Sequence, residues 1–175
     1  MKHGTLVVTG GSRGIGAAAA LKAGAQGWSV AVNYSASPAA ALQVVEAIKS
    51  QGGRALAFRG DVSREDDVRD LFASAQAELG PITGLINNAG ILRERSTLAD
   101  IALDRFVEMV GINMVGAFLC AREAVRLMSR ASGGQGGVIV NVSSRAAILG
   151  GAGEAIDYAM TKGAMEFAST AYGRA

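Results

Sequence analysis

The chain has one cysteine, one histidine and two prolines in 175 positions, and only 5% of its residues are aromatic. Each scarcity closes off a class of function. A lone Cys120 forms no disulfide within the chain, and with His3 as its only histidine partner it builds no Cys/His metal site. A Ser-His-Asp hydrolase needs a histidine deep in the fold, and His3 lies ahead of the first strand-like run. Few prolines, and glycines without a three-residue period, exclude collagen and a Pro-rich linker.

Charge is also sparse. Charged residues make up 18% of the chain and the formal net charge is +2. The basic residues form no run or stripe, so no nucleic-acid partner is expected. The longest charge-free stretch worth testing as a membrane span, Met109 to Ala121, is too short for the required ~20 residues and contains Asn113. No signal peptide is expected, because a strand-like run begins at Thr5. The expectation is a cytoplasmic protein with no membrane partner.

What is present is apolar. Half of the residues are hydrophobic, which excludes intrinsic disorder and suits a single domain over residues 1–175. Glycine is abundant, at 24 residues, and points to tight turns and close backbone contacts. Short buried-type strands are expected at Thr5–Thr9, Trp28–Asn33, Arg54–Gly60, Gly84–Asn87 and Gly137–Ser143. Helical patterns alternate with them. Ser37-Pro38 and Ser63 are read as helix starts, with each serine as N-cap. A long helix is expected from Ala102 to Arg130, because Leu103, Phe106, Val107, Val110, Met114, Ala117, Ala121, Val125 and Met128 recur at three- and four-residue steps. This alternation implies an α/β fold: a doubly wound, Rossmann-like parallel sheet covered on both faces. The uncharged middle of the long helix predicts cover on all sides, from the sheet and from a second subunit.

The first strand runs into Thr9-Gly-Gly-Ser-Arg-Gly-Ile-Gly16, which opens a helix. A Gly-rich turn at a helix start lets backbone N–H groups approach a pyrophosphate. Gly10 would make the turn, Gly14 would allow close approach, and Gly16 would let helix and strand pack tightly. An acid normally ends the second strand of an NAD site to hold the ribose 2′-hydroxyl. Here that segment is Asn33-Tyr34-Ser35-Ala36, which would not repel a 2′-phosphate, and Arg13 could bind one. NADP(H) is the expected cofactor, with NAD(H) left open by the neutral Tyr34 and Ser35.

Near the other end, Tyr158 and Lys162 are four residues apart and share one helical face. A phenol, with a free pKa of about 10, is a poor acid or base near neutrality, and a nearby ammonium favours its phenolate. Ser143 and Ser144 end the fifth strand, where open α/β sheets bind ligands. Asn113 is polar within an apolar helix and needs a partner, since an unsatisfied buried amide costs about 1–3 kcal/mol.

The TGxxxGxG loop, Asn87-Asn-Ala-Gly90, Asn113, Ser144 and Tyr158-Ala-Met-Thr-Lys162 occur in order and at matching elements. In these motifs the chain resembles the short-chain dehydrogenase/reductase family, and its long apolar helix and Tyr34-bearing strand end look most like the glucose-dehydrogenase and ketoacyl-reductase types. The resemblance implies sheet order 3-2-1-4-5. It implies a catalytic set of Asn113, Ser144, Tyr158 and Lys162, in which Asn113 holds a water of a proton relay. Ser143 stays open as an alternative to Ser144, because 14 positions separate Ser144 from Tyr158. The cofactor would be bound by Gly10, Ser12, Arg13, Gly14, Ile15, Gly16, Asn33, Tyr34, Ser35, Asp61, Val62, Asn88, Ala89 and Gly90, together with Tyr158 and Lys162.

The implied activity is interconversion of a small-molecule carbonyl and an alcohol by hydride transfer. The implied assembly is a homo-oligomer, a dimer or tetramer, joined through the Ala102–Arg130 helix. The chain is expected to lack the C-terminal part of the family, including the substrate lid, since Gly173-Arg-Ala is a poor helix ending. A nucleotide-binding module without turnover is the alternative that follows from that expectation.

Overall fold

The computed structural model describes residues 3–151 and 153–172. The expected break at Gly173-Arg-Ala lies outside them. Five parallel strands, β1 (Thr5–Val8), β2 (Ser29–Tyr34), β3 (Arg54–Arg59), β4 (Ile82–Asn87) and β5 (Val138–Asn141), form one sheet in the order β3-β2-β1-β4-β5. The order steps outward from β1 in both directions, so a crevice opens between the carboxyl ends of β1 and β4.

Side-chain alternation along the strands separates two apolar layers. Leu6, Val8, Val30 and Val32 pack on one face with Ala20, Val45 and Ile48 of α1 (Gly14–Ala25) and α2 (Pro38–Ser50). Val7, Ala31 and Leu85 pack on the other with Phe72 of α3 (Glu65–Leu79). Both faces are covered, so the strands read as continuous apolar runs. Fully burying one such Val, Leu or Phe is worth roughly 1.5–3 kcal/mol.

The expected helix from Ala102 to Arg130 is observed as three consecutive segments. These are α4 (Leu103–Val110), a π-helical turn (Gly111–Gly116) and α5 (Ala117–Met128), followed by a separate 3₁₀ turn at Arg130–Ser132. The backbone stays right-handed across both junctions, so the π turn interrupts the hydrogen-bond ladder without breaking the helix. A side chain at Gly116 would meet Val62 at 2.7 Å, which explains why a residue without Cβ ends that turn.

The sheet covers one side of this helix, and the face expected to meet a second subunit is exposed in the single chain. Cys120, Ala121 and Ala124 are buried against the sheet, whereas Val107, Val115 and Phe118 are exposed. Burial also pushes the Cys120 thiol up to about 12, which keeps it neutral and unreactive.

The Ser63 cap is corrected. The residue before α3 is Arg64, and no side chain caps that helix. The Ser63 hydroxyl and amide instead donate to Asp61 Oδ1 at 2.7 and 2.9 Å, which forms a turn of its own. Ser37 does precede Pro38 at the start of α2, but again without a side-chain cap bond. The loop after β5 contains a short helix, α6 (Ala146–Leu149), before α7 (Ile156–Tyr172). No helix among the described residues is long and apolar enough to cross a membrane.

Candidate functional site

The Gly-rich loop is fastened before any ligand arrives. Gly10 has φ +60°, a conformation that glycine adopts without steric cost. The Thr9 hydroxyl accepts hydrogen bonds from the Asn88 and Ala89 amides, both at 3.0 Å. Asn88 Nδ2 donates to the carbonyls of Thr9 and Gly10, at 3.0 and 3.1 Å. Asn33, fully buried at the end of β2, accepts from the Gly10 amide through Oδ1 at 3.2 Å and donates to the Gly60 carbonyl at 3.0 Å. Side-chain amides therefore tie the ends of β1, β2 and β4 to one turn.

Above these strand ends lies a cleft of about 380 Å³. Gly10, Ser12, Arg13, Ile15, Asn33, Tyr34, Ser35, Asp61, Val62, Asn88, Ala89 and Gly90 line it. Gly14 is exposed on the same loop, whereas Gly16 is buried beneath it. Asp61 is the one carboxylate in the lining, and Ser63 already engages its Oδ1. Arg13 is exposed and has no ion-pair partner among the described residues.

Two of the catalytic candidates, Asn113 and Lys162, neighbour Gly90 of the cleft lining. Lys162 is 3% exposed, and its Nζ lies 5.7 Å from the centre of the Tyr158 ring. That ammonium donates to the Val142 carbonyl at 2.7 Å. Burial lowers the Lys162 pKa from the ordinary lysine value.

Asn113, in the π turn, is fully buried. Its Oδ1 accepts from the Ile91 amide at 2.8 Å, and its Nδ2 donates to the Ile91 carbonyl at 3.0 Å and to Thr161 Oγ1 at 3.1 Å. Both amide protons are thus engaged, so a relay water would have to donate to an oxygen of this residue. A Cβ placed on Gly90 would lie 3.2 Å from Asn113 Oδ1 and 3.8 Å from Lys162 Nζ, so these three residues are neighbours. Ser144 Oγ accepts from the Ala146 amide at 3.2 Å, and Ser143 Oγ is buried without a partner among the described residues. No hydrogen bond joins either serine to Tyr158 among those residues.

Several side chains that organise the site stand within the motifs or beside them without a role assigned from the sequence. Asn87 Nδ2 bridges the Ala117 carbonyl and Asn141 Oδ1, each at 3.0 Å, which ties β4 to α5 and β5. Thr161, also fully buried, donates to the Tyr158 carbonyl at 2.8 Å while accepting from Asn113. Position within the TGxxxGxG and Tyr-x-x-x-Lys strings was the only signal for Thr9 and Thr161.

A pH dependence follows from the lowered Lys162 pKa. The folded state disfavours the ammonium, whereas the unfolded chain carries an ordinary lysine with a pKa of about 10.4. The folded state therefore binds fewer protons between the two values, and this contribution to stability rises with pH across that alkaline window. Urea unfolding of the parent and of Lys162→Met at a series of pH values should give a difference in stability that shifts toward the parent as pH rises. A difference independent of pH would show that the ammonium carries no burial penalty.

The chain matches the short chain dehydrogenase family over residues 4–173. It is 44% identical over 164 residues to the uncharacterized oxidoreductase YgfF of Escherichia coli K12, covering 94% of this chain and 66% of that protein. It is 37% identical over 164 residues to a 3-oxoacyl-[acyl-carrier-protein] reductase of Synechocystis, covering 94% of this chain and 65% of that protein. A solved dehydrogenase/reductase from Sinorhizobium meliloti 1021 superposes with a TM-score of 0.89 at 32% identity, over 96% of this chain and 64% of that one. The chain thus spans about two thirds of the length of the relatives it matches. With its 3-2-1-4-5 sheet and its fastened Gly-rich loop, the chain belongs to the short-chain dehydrogenase/reductase family.

Proposed function

We propose that this chain carries the cofactor cleft and the proton-transfer residues of an NADP(H)-dependent oxidoreductase that interconverts a carbonyl and an alcohol. The observation that carries this reading is the pairing of Tyr158 with the buried Lys162, which neighbours Gly90 of the Gly-rich cleft.

The residues present fit a phosphorylated dinucleotide. The cleft floor is backbone at Gly10 and Gly90, and the α1 N-terminus opens onto it. No free carboxylate ends β2, and the Arg13 guanidinium, unpaired among the described residues, suits a 2′-phosphate. Gly10, Ser12, Gly14, Ile15 and Gly16 would hold the pyrophosphate. Arg13, Asn33, Tyr34 and Ser35 would hold the adenosine ribose. Asp61 and Val62 would border the adenine, and Asn88, Ala89 and Gly90 the ribose beyond it. A bound nicotinamide would supply or accept the hydride.

The protein handles the proton. The Tyr158 hydroxyl donates its proton to the substrate oxygen on reduction, and the Tyr158 phenolate accepts the alcohol proton on oxidation. Ser144 donates a hydrogen bond to the same oxygen and orients it. The Lys162 ammonium stabilises phenolate and would hold the nicotinamide ribose. Asn113 fixes the segment through which a water would return the proton. A carbonyl whose oxygen meets both hydroxyls is the substrate class, and the name of the Synechocystis relative makes 3-oxoacyl thioesters the first to test.

The exposed Val107, Val115 and Phe118 face supports homo-oligomer formation, which sedimentation velocity would read directly. The test of the whole reading is NADPH oxidation by the purified protein against acetoacetyl thioesters, ketones and aldoses. Binding titrations with NADPH and NADH would run alongside. Turnover with tighter NADPH binding is expected. Tight NADPH binding without turnover on any substrate would favour a binding module instead, and absence of binding would overturn the reading.

A further inference from the structure

One ion pair, between a half-buried guanidinium and a buried carboxylate, touches the proposed catalytic residue without belonging to the catalytic set. Asp157 immediately precedes Tyr158 in the first turn of α7, and its side chain is 1% exposed. Arg105 lies in the first turn of α4, with its side chain 21% exposed. Arg105 Nε donates to Asp157 Oδ2 at 2.8 Å. The other carboxylate oxygen, Oδ1, accepts the backbone N–H of Tyr158 at 2.9 Å. One carboxylate therefore holds the amide of Tyr158 with one oxygen and a neighbouring helix with the other.

A second tie holds the carbonyl side of the same residue. Thr161 Oγ1 donates to the Tyr158 carbonyl and accepts from Asn113 of the π turn. Both backbone polar groups of Tyr158 are thus bonded to side chains anchored in the α4–π-turn segment.

The pair is poorly explained as a stabilising contact. Arg105 Nη2 is buried with no hydrogen-bond partner among the described residues. A buried ion pair often contributes no more than an apolar pair of the same volume, and an incompletely satisfied one contributes less. The surroundings are apolar and open to solvent, with Leu98, Leu103 and Met160 exposed. Asp157 itself borders an open groove of about 280 Å³, lined also by Leu98, Ile101, Leu103, Phe106, Ile156 and Met160. Apolar contacts have no preferred direction, so α7 could slide or rotate against α4 along this seam at little cost. An ion pair with directed hydrogen bonds does not allow that freedom.

We propose that Arg105 and Asp157 are positioning residues, a charge-paired strap that seats the first turn of α7 against α4 and so aims the Tyr158 hydroxyl at the substrate oxygen. The inference rests on the reductase reading above, and its test separates the two. Four variants are compared with the parent: Arg105→Met, Arg105→Lys, Asp157→Asn, and Arg105→Met combined with Asp157→Asn.

In Arg105→Met the stranded carboxylate is driven toward water and carries Tyr158 with it. Turnover should fall about 10²-fold, the scale of a misplacement near 1 Å, with the NADPH dissociation constant nearly unchanged. Asp157→Asn should lose less, because an amide oxygen still accepts from the Tyr158 N–H. The double variant should recover at least about tenfold over Arg105→Met, because no charge is stranded, and Arg105→Lys should fall between parent and Met. Hydrogen exchange, read without substrate, should quicken by about tenfold at the amides of residues 158–162 in Arg105→Met and stay unchanged in α1.

If the parent binds NADPH but turns over no carbonyl, the reductase reading fails, and the exchange arm still decides the strap. Unchanged exchange at residues 158–162 would overturn the proposal. So would additive losses in the double variant, or a proportional loss of NADPH affinity and turnover, since either assigns the pair to folding alone.

Discussion

Tyr158→Phe is expected to lower turnover by about 10²–10⁴-fold, the usual contribution of a positioned acid or base. NADPH affinity should stay within about threefold and stability within about 0.5 kcal/mol. The selectivity follows from the structure. The Tyr158 hydroxyl has no hydrogen-bond partner among the described residues, so its removal strands no buried group. The bonds that hold the residue run through its backbone, to Asp157 Oδ1 and Thr161 Oγ1, and Phe keeps both. The ring stays in place for the Lys162 ammonium 5.7 Å from its centre, and Lys162 keeps its bond to the Val142 carbonyl. Only the exchangeable proton is gone. Steady-state turnover and a fluorescence titration of NADPH check both halves. A variant retaining more than about a tenth of parent turnover would assign the proton to another group, and the Ser143 hydroxyl, unpartnered among the described residues, would be the next to examine.

The doubly wound layout was legible because each strand is a short apolar run separated from the next by a helical pattern, and right-handed crossovers leave few ways to join them, whereas the strand order itself came from the family resemblance. The Gly-rich loop was legible because positive φ and close approach require glycine, and residue type records that need directly. Side-chain direction was not. Asn33 and Asn88 sit at the strand ends where the spacing placed them. Yet their amides fasten backbone to backbone while the residues line the cleft, and spacing carries no information on which way an amide points. The π turn left one trace, a polar Asn113 in an apolar helix. An inserted residue in a hydrogen-bond ladder has no composition of its own. Arg105 and Asp157 lie 52 residues apart and meet only because α4 and α7 pack together. Ser63 was misread because a serine before an acidic first turn suits both a helix cap and the Asp61 turn, and the choice depends on geometry.

Gly16→Ala is the second large expected effect, and it should act on the cofactor cleft while leaving the proton-transfer residues alone. A Cβ at Gly16 would lie 2.5 Å from the Gly10 carbonyl oxygen and 2.5 Å from Asn88 Nδ2. Neither neighbour is a loose side-chain end. The Gly10 oxygen is backbone of the turn itself, and Asn88 Nδ2 is held by the carbonyls of Thr9 and Gly10 at once. Relief of the clash must displace the turn or break those bonds, and both distort the row of amides that faces the cleft. NADPH affinity should drop by about 100-fold, roughly 2.7 kcal/mol. Overpacking and lost hydrogen bonds should lower stability by about 1–3 kcal/mol. Gly14→Ala is the informative contrast. Its Cβ would meet nothing within 4 Å, so the strain of φ +55°, on the order of 1 kcal/mol, is its only conformational cost. Any larger loss of NADPH affinity in that variant would then report the methyl group meeting the ligand itself. Unfolding curves and NADPH titrations on the pair separate a displaced turn from an obstructed one. Equal stability in the two variants would show that Gly16 does not set the packing of the loop.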